Sequence, residues 1–174
     1  MSVRFVVGID LGLKGAISAL SVHGDFMYVI DMPTIKVGKK TRYDTAKVRN
    51  VLSDFIGKAR VYIEKTGPIP TIKGFSSSQG NWSLGYAEGL FSGIFEALGV
   101  SYEFVSVRSW QSAFRITGKK DQTKNAAYQI AHRMFPLGVD LRTPKGNPRD
   151  GRCDSLLIAE YGRRLFTHGG RYEG

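Results

Sequence analysis

The sequence holds a single cysteine, Cys153, so the chain closes no internal disulfide and builds no cysteine-based zinc site. Its three histidines, His23, His132 and His168, stand at no ligand spacing. No apolar run approaches the roughly 20 residues a membrane helix needs. The chain enters a strand pattern at once, without the pattern of a signal or transit peptide. These absences predict a cytoplasmic protein without a membrane partner. Acids are scarce as well: 15 Asp and Glu stand against 25 Lys and Arg, a net charge of +10. That balance suits a polyanion, nucleic acid being the usual one. Positive charge is itself missing from one segment. Residues 74–107 contain no Lys or Arg, whereas residues 36–73 and 108–171 are rich in them. The pattern suggests a buried or self-associating element beside a basic surface.

What is present predicts one domain over residues 1–174, with 42% hydrophobic residues and length enough for a sizeable core. Residues 3–9, 15–22 and 25–32 read as three strands in a meander, and 33–42 as a basic loop. Helical apolar spacing spans 44–58 and ends at Gly57. A strand ending in Glu64 follows, then a loop rich in Gly, Pro and Ser over 67–80. Beyond it come a long helix at about 81–98, a strand at "SYEFVSV", a helical turn at "RSWQSAF", and helices over 121–135 and 150–166. Strand-helix-strand crossovers put the later strands parallel to the first. The expected class is α/β: a mixed five-stranded sheet, antiparallel meander plus parallel strands, flanked by helices.

Two strands end on acids. Val6, Gly8 and Asp10 share one face of the first strand, and Glu64 closes the fourth strand in the same manner. As parallel neighbours these strands would bring both acids to the carboxyl end of the sheet, where open α/β sheets bind ligands. Asp150 and Asp154 stack one turn apart on the last helix. Four gathered carboxylates repel unless cations neutralise them. Oxygen donors of this kind suit Mg²⁺ or Mn²⁺ rather than zinc. Two such ions roughly 3.5–4 Å apart form a clamp for displacement at a phosphodiester. Asp150 has an equally good reading as a helix N-cap behind Pro148. Asp154, at the edge of the apolar "SLLIA", costs stability unless it is paired or metal-bound.

"GIDLGLKGA", "VYIEKT", "TGKKDQTKNAA" and "RDGRCDSLLIAEYG", in this order, resemble the RuvC-like Holliday junction resolvases of the ribonuclease H-like superfamily, and their chloroplast branch in particular. The resemblance implies a ribonuclease H-like fold and catalytic, metal-binding roles for Asp10, Glu64 and Asp154. Asp150 matches a position that holds Asp or His in relatives. Lys120 matches the active-site lysine, with Gln122 two residues on and Lys119 as the competing choice. The resemblance further implies a Mg²⁺-dependent homodimer, with Mn²⁺ able to substitute and no small-molecule cofactor. Such a dimer nicks four-way and other branched DNA in pairs, leaving 5′-phosphate and 3′-hydroxyl ends. Lys14, Arg42, Lys73, Arg108, Lys119, Lys124, Lys145, Arg149 and Arg152 are candidate phosphate contacts. Phe75 in the 67–80 loop is a candidate wedge against unstacked bases.

The long helix carries Gly85, Gly89 and Gly93 at four-residue spacing, which reads as a face packed closely on the chain's own sheet. Part of its aromatic surface, Phe91 and Phe95 included, is then expected at a dimer contact. Three other readings compete. A ribonuclease H would use similar acids on an RNA–DNA hybrid, but the last helix and the Lys120 element favour a resolvase. "GIDLG" also occurs in sugar kinases and actin-like ATPases, which need a second domain of comparable size. A non-cutting architectural binder would gain nothing from four acids facing DNA phosphates.

Overall fold

The computed structural model describes residues 2–65, 78–135 and 138–167, without the side chains of residues 78–81 and Lys120. Strands β1 (Phe5–Asp10), β2 (Ala16–Ser21) and β3 (Phe26–Asp31) form the meander. A hairpin, β4 (Thr34–Val37) and β5 (Lys40–Tyr43), leads into helix α1 (Thr45–Ser53). Strand β6 (Ala59–Lys65), helix α2 (Ser78–Leu98) and strand β7 (Tyr102–Ser106) follow. Helices α3 (Val107–Ala113), α4 (Lys120–Met134) and α5 (Asp150–Thr167) complete the described chain. The sheet order is β3-β2-β1-β6-β7, with β1 antiparallel to β2 and parallel to β6, and β6 parallel to β7. This is the expected mixed five-stranded sheet. Among the described residues no helix is long and apolar enough to cross a membrane.

The period-two pattern of the strands splits the core in two. Val7 and Ile9 of β1, with Val61 and Ile63 of β6, face α1 and α2 and pack against Val48, Leu52, Phe91 and Phe95. Val6 and Tyr62 point the other way, toward Leu156, Leu157 and Ala159 of α5 and Tyr128 and Ala131 of α4. Glycine sets how close α5 comes. A Cβ on Gly8 would overlap the Ser155 carbonyl oxygen and the Ala159 nitrogen, and would stand 2.8 Å from the Ala159 Cα. A Cβ on Gly151 would stand 2.6 Å from the Gly15 Cα. The α5 backbone therefore lies directly on β1 and on the turn that follows it.

Three local expectations change. Residues 33–42 are mostly hairpin rather than loop, because Gly38 takes φ +60° and lets a two-residue turn join Val37 to Lys40. Helix α1 stops at Ser53, four residues before Gly57, and turns rather than helix fill the interval. In α2 the faces are exchanged. Phe91 and Phe95 are fully buried in the chain's own core, so they are not available to a second copy. Gly85, Gly89 and Gly93 lie two residues out of phase, about 200° around the helix, and a Cβ on any of them would meet nothing within 4 Å.

Candidate active site

Asp10 ends β1 on the α5 side of the sheet, and the parallel register that pairs Ile9 with Ile63 sets Glu64 beside it. The turn after β1 is tight: the Gly15 N–H bonds to the Gly12 carbonyl at 2.7 Å, and the Gly12 N–H donates to Asp10 Oδ1 at 3.0 Å. Glu64 is oriented from β7's end of the sheet. Trp110, fully buried in α3, donates its indole N–H to Glu64 Oε2 at 3.0 Å. Asp154 reaches the same region because α5 rests on Gly8. Asp150, the first residue of α5, is held by the Lys124 ammonium one turn into α4.

Asp10, Glu64 and Asp154 each feel the charge of a neighbouring acid. Burial, then the charge of Asp10, lifts the Glu64 carboxyl to about 7, against the opposing hydrogen bond from Trp110. Burial lifts Asp154 well above the usual carboxylate range, and Asp10, Glu64 and Asp150 add to this while Lys124 opposes it. Asp10 is raised by burial and by Asp150, with the Gly12 N–H pulling the other way. A hydroxyl is caught in the same field. Tyr43 donates to the Leu11 carbonyl, and burial followed by the Asp10 charge pushes its ionisation up to about 12.

Among the described residues no three His, Cys, Asp or Glu side chains stand ready-formed for a metal ion. Three of the acid oxygens are instead engaged by the Gly12 N–H, the Trp110 indole and the Lys124 ammonium. The donor set nevertheless fits a hard divalent cation. It is all oxygen, Lys124 is the cation paired with it, and burial raises the carboxyl groups of Glu64 and Asp154, which disfavours their charge unless a cation joins them.

The basic candidates divide. Lys14, Arg42, Arg108, Lys119 and Lys145 are exposed. Arg149 and Arg152 are committed within the chain: Arg152 bonds Asp31 through Nε at 2.6 Å and Nη2 at 3.1 Å, and Arg149 reaches Asp31 at 3.3 Å and Asp140 at 3.2 Å. That network ties the segment before α5 to the end of β3. Lys119 is the N-cap of α4, and Gln122 accepts its backbone N–H at 2.9 Å, so the glutamine serves the helix start. Lys120 begins α4, its side chain outside the described residues, as are Lys73 and Phe75. Sequence reasoning missed Trp110 as the partner of Glu64, since a lone tryptophan in "RSWQSAF" carries no sign of what its N–H meets. Lys124 entered only as a phosphate contact; its pairing with Asp150 comes from the docking of α4 against α5.

A β3-β2-β1-β6-β7 sheet, with a helix laid across β1, is a ribonuclease H-like fold. More narrowly, the fold is that of RuvC. Thermus thermophilus RuvC in complex with a Holliday junction substrate superimposes with a TM-score of 0.60 at 16% sequence identity, over 96% of this chain and 97% of that one. Another structure of Thermus thermophilus RuvC gives 0.59 at 17% identity, over 95% and 97%. No family model matches the chain, and no curated protein matches it in sequence.

Proposed function

We propose that the chain is a metal-dependent endonuclease that resolves four-way DNA junctions by paired, symmetric nicks. One observation carries the reading: Asp10 of β1, Glu64 of β6 and Asp154 of α5 converge at the carboxyl edge of a RuvC-like sheet, on the face that α5 covers. The net charge of +10 favours a polyanionic substrate. The structural neighbour bound to a Holliday junction favours a branched one.

In this reading Asp10, Glu64, Asp150 and Asp154 would hold two Mg²⁺ ions, or Mn²⁺. Such ions, when bound, activate a water and stabilise the departing 3′ oxygen. Trp110 fixes the Glu64 carboxylate by one oxygen and leaves Oε1 for other work. Gly12 does the same for Asp10. Lys124 holds Asp150 in place and lowers the repulsion around Asp154. Lys14, on the turn beside Asp10, faces solvent and suits a phosphate contact. Water adds to phosphorus as the P–O3′ bond breaks, leaving a 5′-phosphate and a 3′-hydroxyl.

Paired cutting needs two identical sites, which a two-fold dimer supplies. The open glycine face of α2, beside a shallow apolar groove lined by Leu90, Ile94 and Leu98, is the surface we assign to that contact. The test is a labelled four-way junction, a matched duplex and an RNA–DNA hybrid, each with Mg²⁺ or EDTA. Paired nicks are expected in the junction alone and only with metal. Cutting confined to the hybrid would indicate a ribonuclease H, and junction binding without cutting an architectural protein.

A further inference from the structure

A second feature lies beside the acid cluster. The β4–β5 hairpin and the first turns of α2 enclose a recess of about 550 Å³, within the roughly 300–1,000 Å³ of small-ligand sites. Trp82 and Tyr86, four residues apart on α2, stack at 5.3 Å between ring centroids and 15° between planes. Both stay in water, Trp82 at 67% exposure and Tyr86 at 47%. Two large aromatics held parallel at the surface lend the core little. Lys40 and Arg42 alternate on β5 and so share a face, and both line the recess. Among its described lining residues there is no acid. Leu13, in the turn after Asp10, forms another wall. The hairpin is tied to that turn, because the Tyr43 hydroxyl donates to the carbonyl of Leu11, next to Asp10.

We propose that this recess receives one unstacked nucleobase of a DNA strand whose phosphates run past Asp10. The base stacks on the Trp82–Tyr86 pair, and Lys40 and Arg42 take the adjoining phosphates. Aromatic faces accept any base, so the site selects unpaired geometry rather than sequence. The proposal rests on the nuclease reading for its substrate, but it can be tested separately. An open junction or a single strand supplies such a base, whereas a closed duplex does not.

The experiment follows tryptophan emission and affinity in EDTA while a four-way junction, a single-stranded oligonucleotide or a closed duplex is added. The chain has two tryptophans, and Trp110 is buried against Glu64, so a base in the recess reports through Trp82. Wild-type emission should fall on junction and single strand. Trp82→Ala should weaken both by about tenfold or more and leave duplex binding unchanged. Trp82→Phe should keep junction affinity within about threefold, because a phenyl ring still stacks, and should lose the quench. An unchanged quench in Trp82→Phe would overturn the proposal, as would equal losses on duplex and junction, which would indicate backbone contact alone. It would also fall if Trp82→Ala dissociated a dimer and left DNA affinity intact, since the recess would then be covered by a second copy. Base-dependent quenching through Trp82 without cutting under any metal would keep the recess and remove the nuclease reading.

Discussion

An alanine at Gly8 would put its methyl group into main chain. The added carbon overlaps the Ser155 carbonyl oxygen and the Ala159 nitrogen and stands 2.8 Å from the Ala159 Cα. No rotamer change relieves this, because all three atoms belong to the α5 backbone and β1 is the central strand. Overpacking a core typically costs about 1–3 kcal/mol, and a rigid backbone obstacle argues for the upper end. The stiffer unfolded chain returns less than about 1 kcal/mol. A net loss of about 2–3 kcal/mol, at roughly 2–4 °C per kcal/mol for a chain of this size, lowers Tm by about 5–10 °C. The strain lifts α5 from β1, so Asp154 should also move away from Asp10, and the stabilisation by Mn²⁺ should shrink. Circular-dichroism melts in EDTA and in Mn²⁺ measure both effects. Asn125→Ala is the control, since it lies exposed on α4 and should change stability by less than about 1 kcal/mol. A Gly8→Ala protein melting within about 1 °C of wild type would refute the close approach.

Stability without metal should fall as pH rises. Glu64 has its proton to about pH 7 in the folded chain, against an ordinary value of 4.5. Its contribution is therefore full below pH 4.5 and lost as pH rises through 7, on the order of 3 kcal/mol. Urea unfolding in EDTA at pH 5 and pH 8 checks this, and equal or greater stability at pH 8 would contradict it. Trp110→Phe keeps an aromatic ring but removes the donor to Glu64, so it should cost about 1–3 kcal/mol and more at pH 8 than at pH 5, read from the same curves. Gly89→Arg should leave the circular-dichroism spectrum intact and give a monomer in sedimentation; a dimer would move the interface off the glycine face of α2.

Much of this site could be read from the chain because the relevant signals are local. Apolar runs ending in Asp10 and Glu64, separated by a crossover helix, put both acids at one sheet edge if the two strands are parallel neighbours, and the β1–β6 pairing supplies that condition. Asp150 and Asp154 needed only the helical repeat. The faces of α2 could not be assigned that way. Gly85, Gly89 and Gly93 and the series Ala87, Phe91 and Phe95 have the same four-residue spacing, and glycine suggested close packing. Burying two phenyl rings removes far more apolar area than burying three glycines, so the aromatic face turned inward. Arg149 and Arg152 flank Asp150 in sequence and looked like phosphate contacts. Their partner Asp31 lies more than a hundred residues earlier, and only the folded sheet brings it near. The same holds for Trp110 and Glu64, 46 residues apart.

The most direct test compares wild type with Asp10→Asn on a four-way junction under single-turnover conditions in Mg²⁺, with affinity measured in parallel in EDTA. Asparagine keeps the shape of the side chain and removes the charge that Glu64 and Asp154 feel. Unchanged junction affinity with nicking reduced by about a thousandfold or more, equivalent to roughly 4 kcal/mol in the barrier, is the predicted result. Wild-type nicking by Asp10→Asn would contradict the assignment of the acid cluster as the catalytic site.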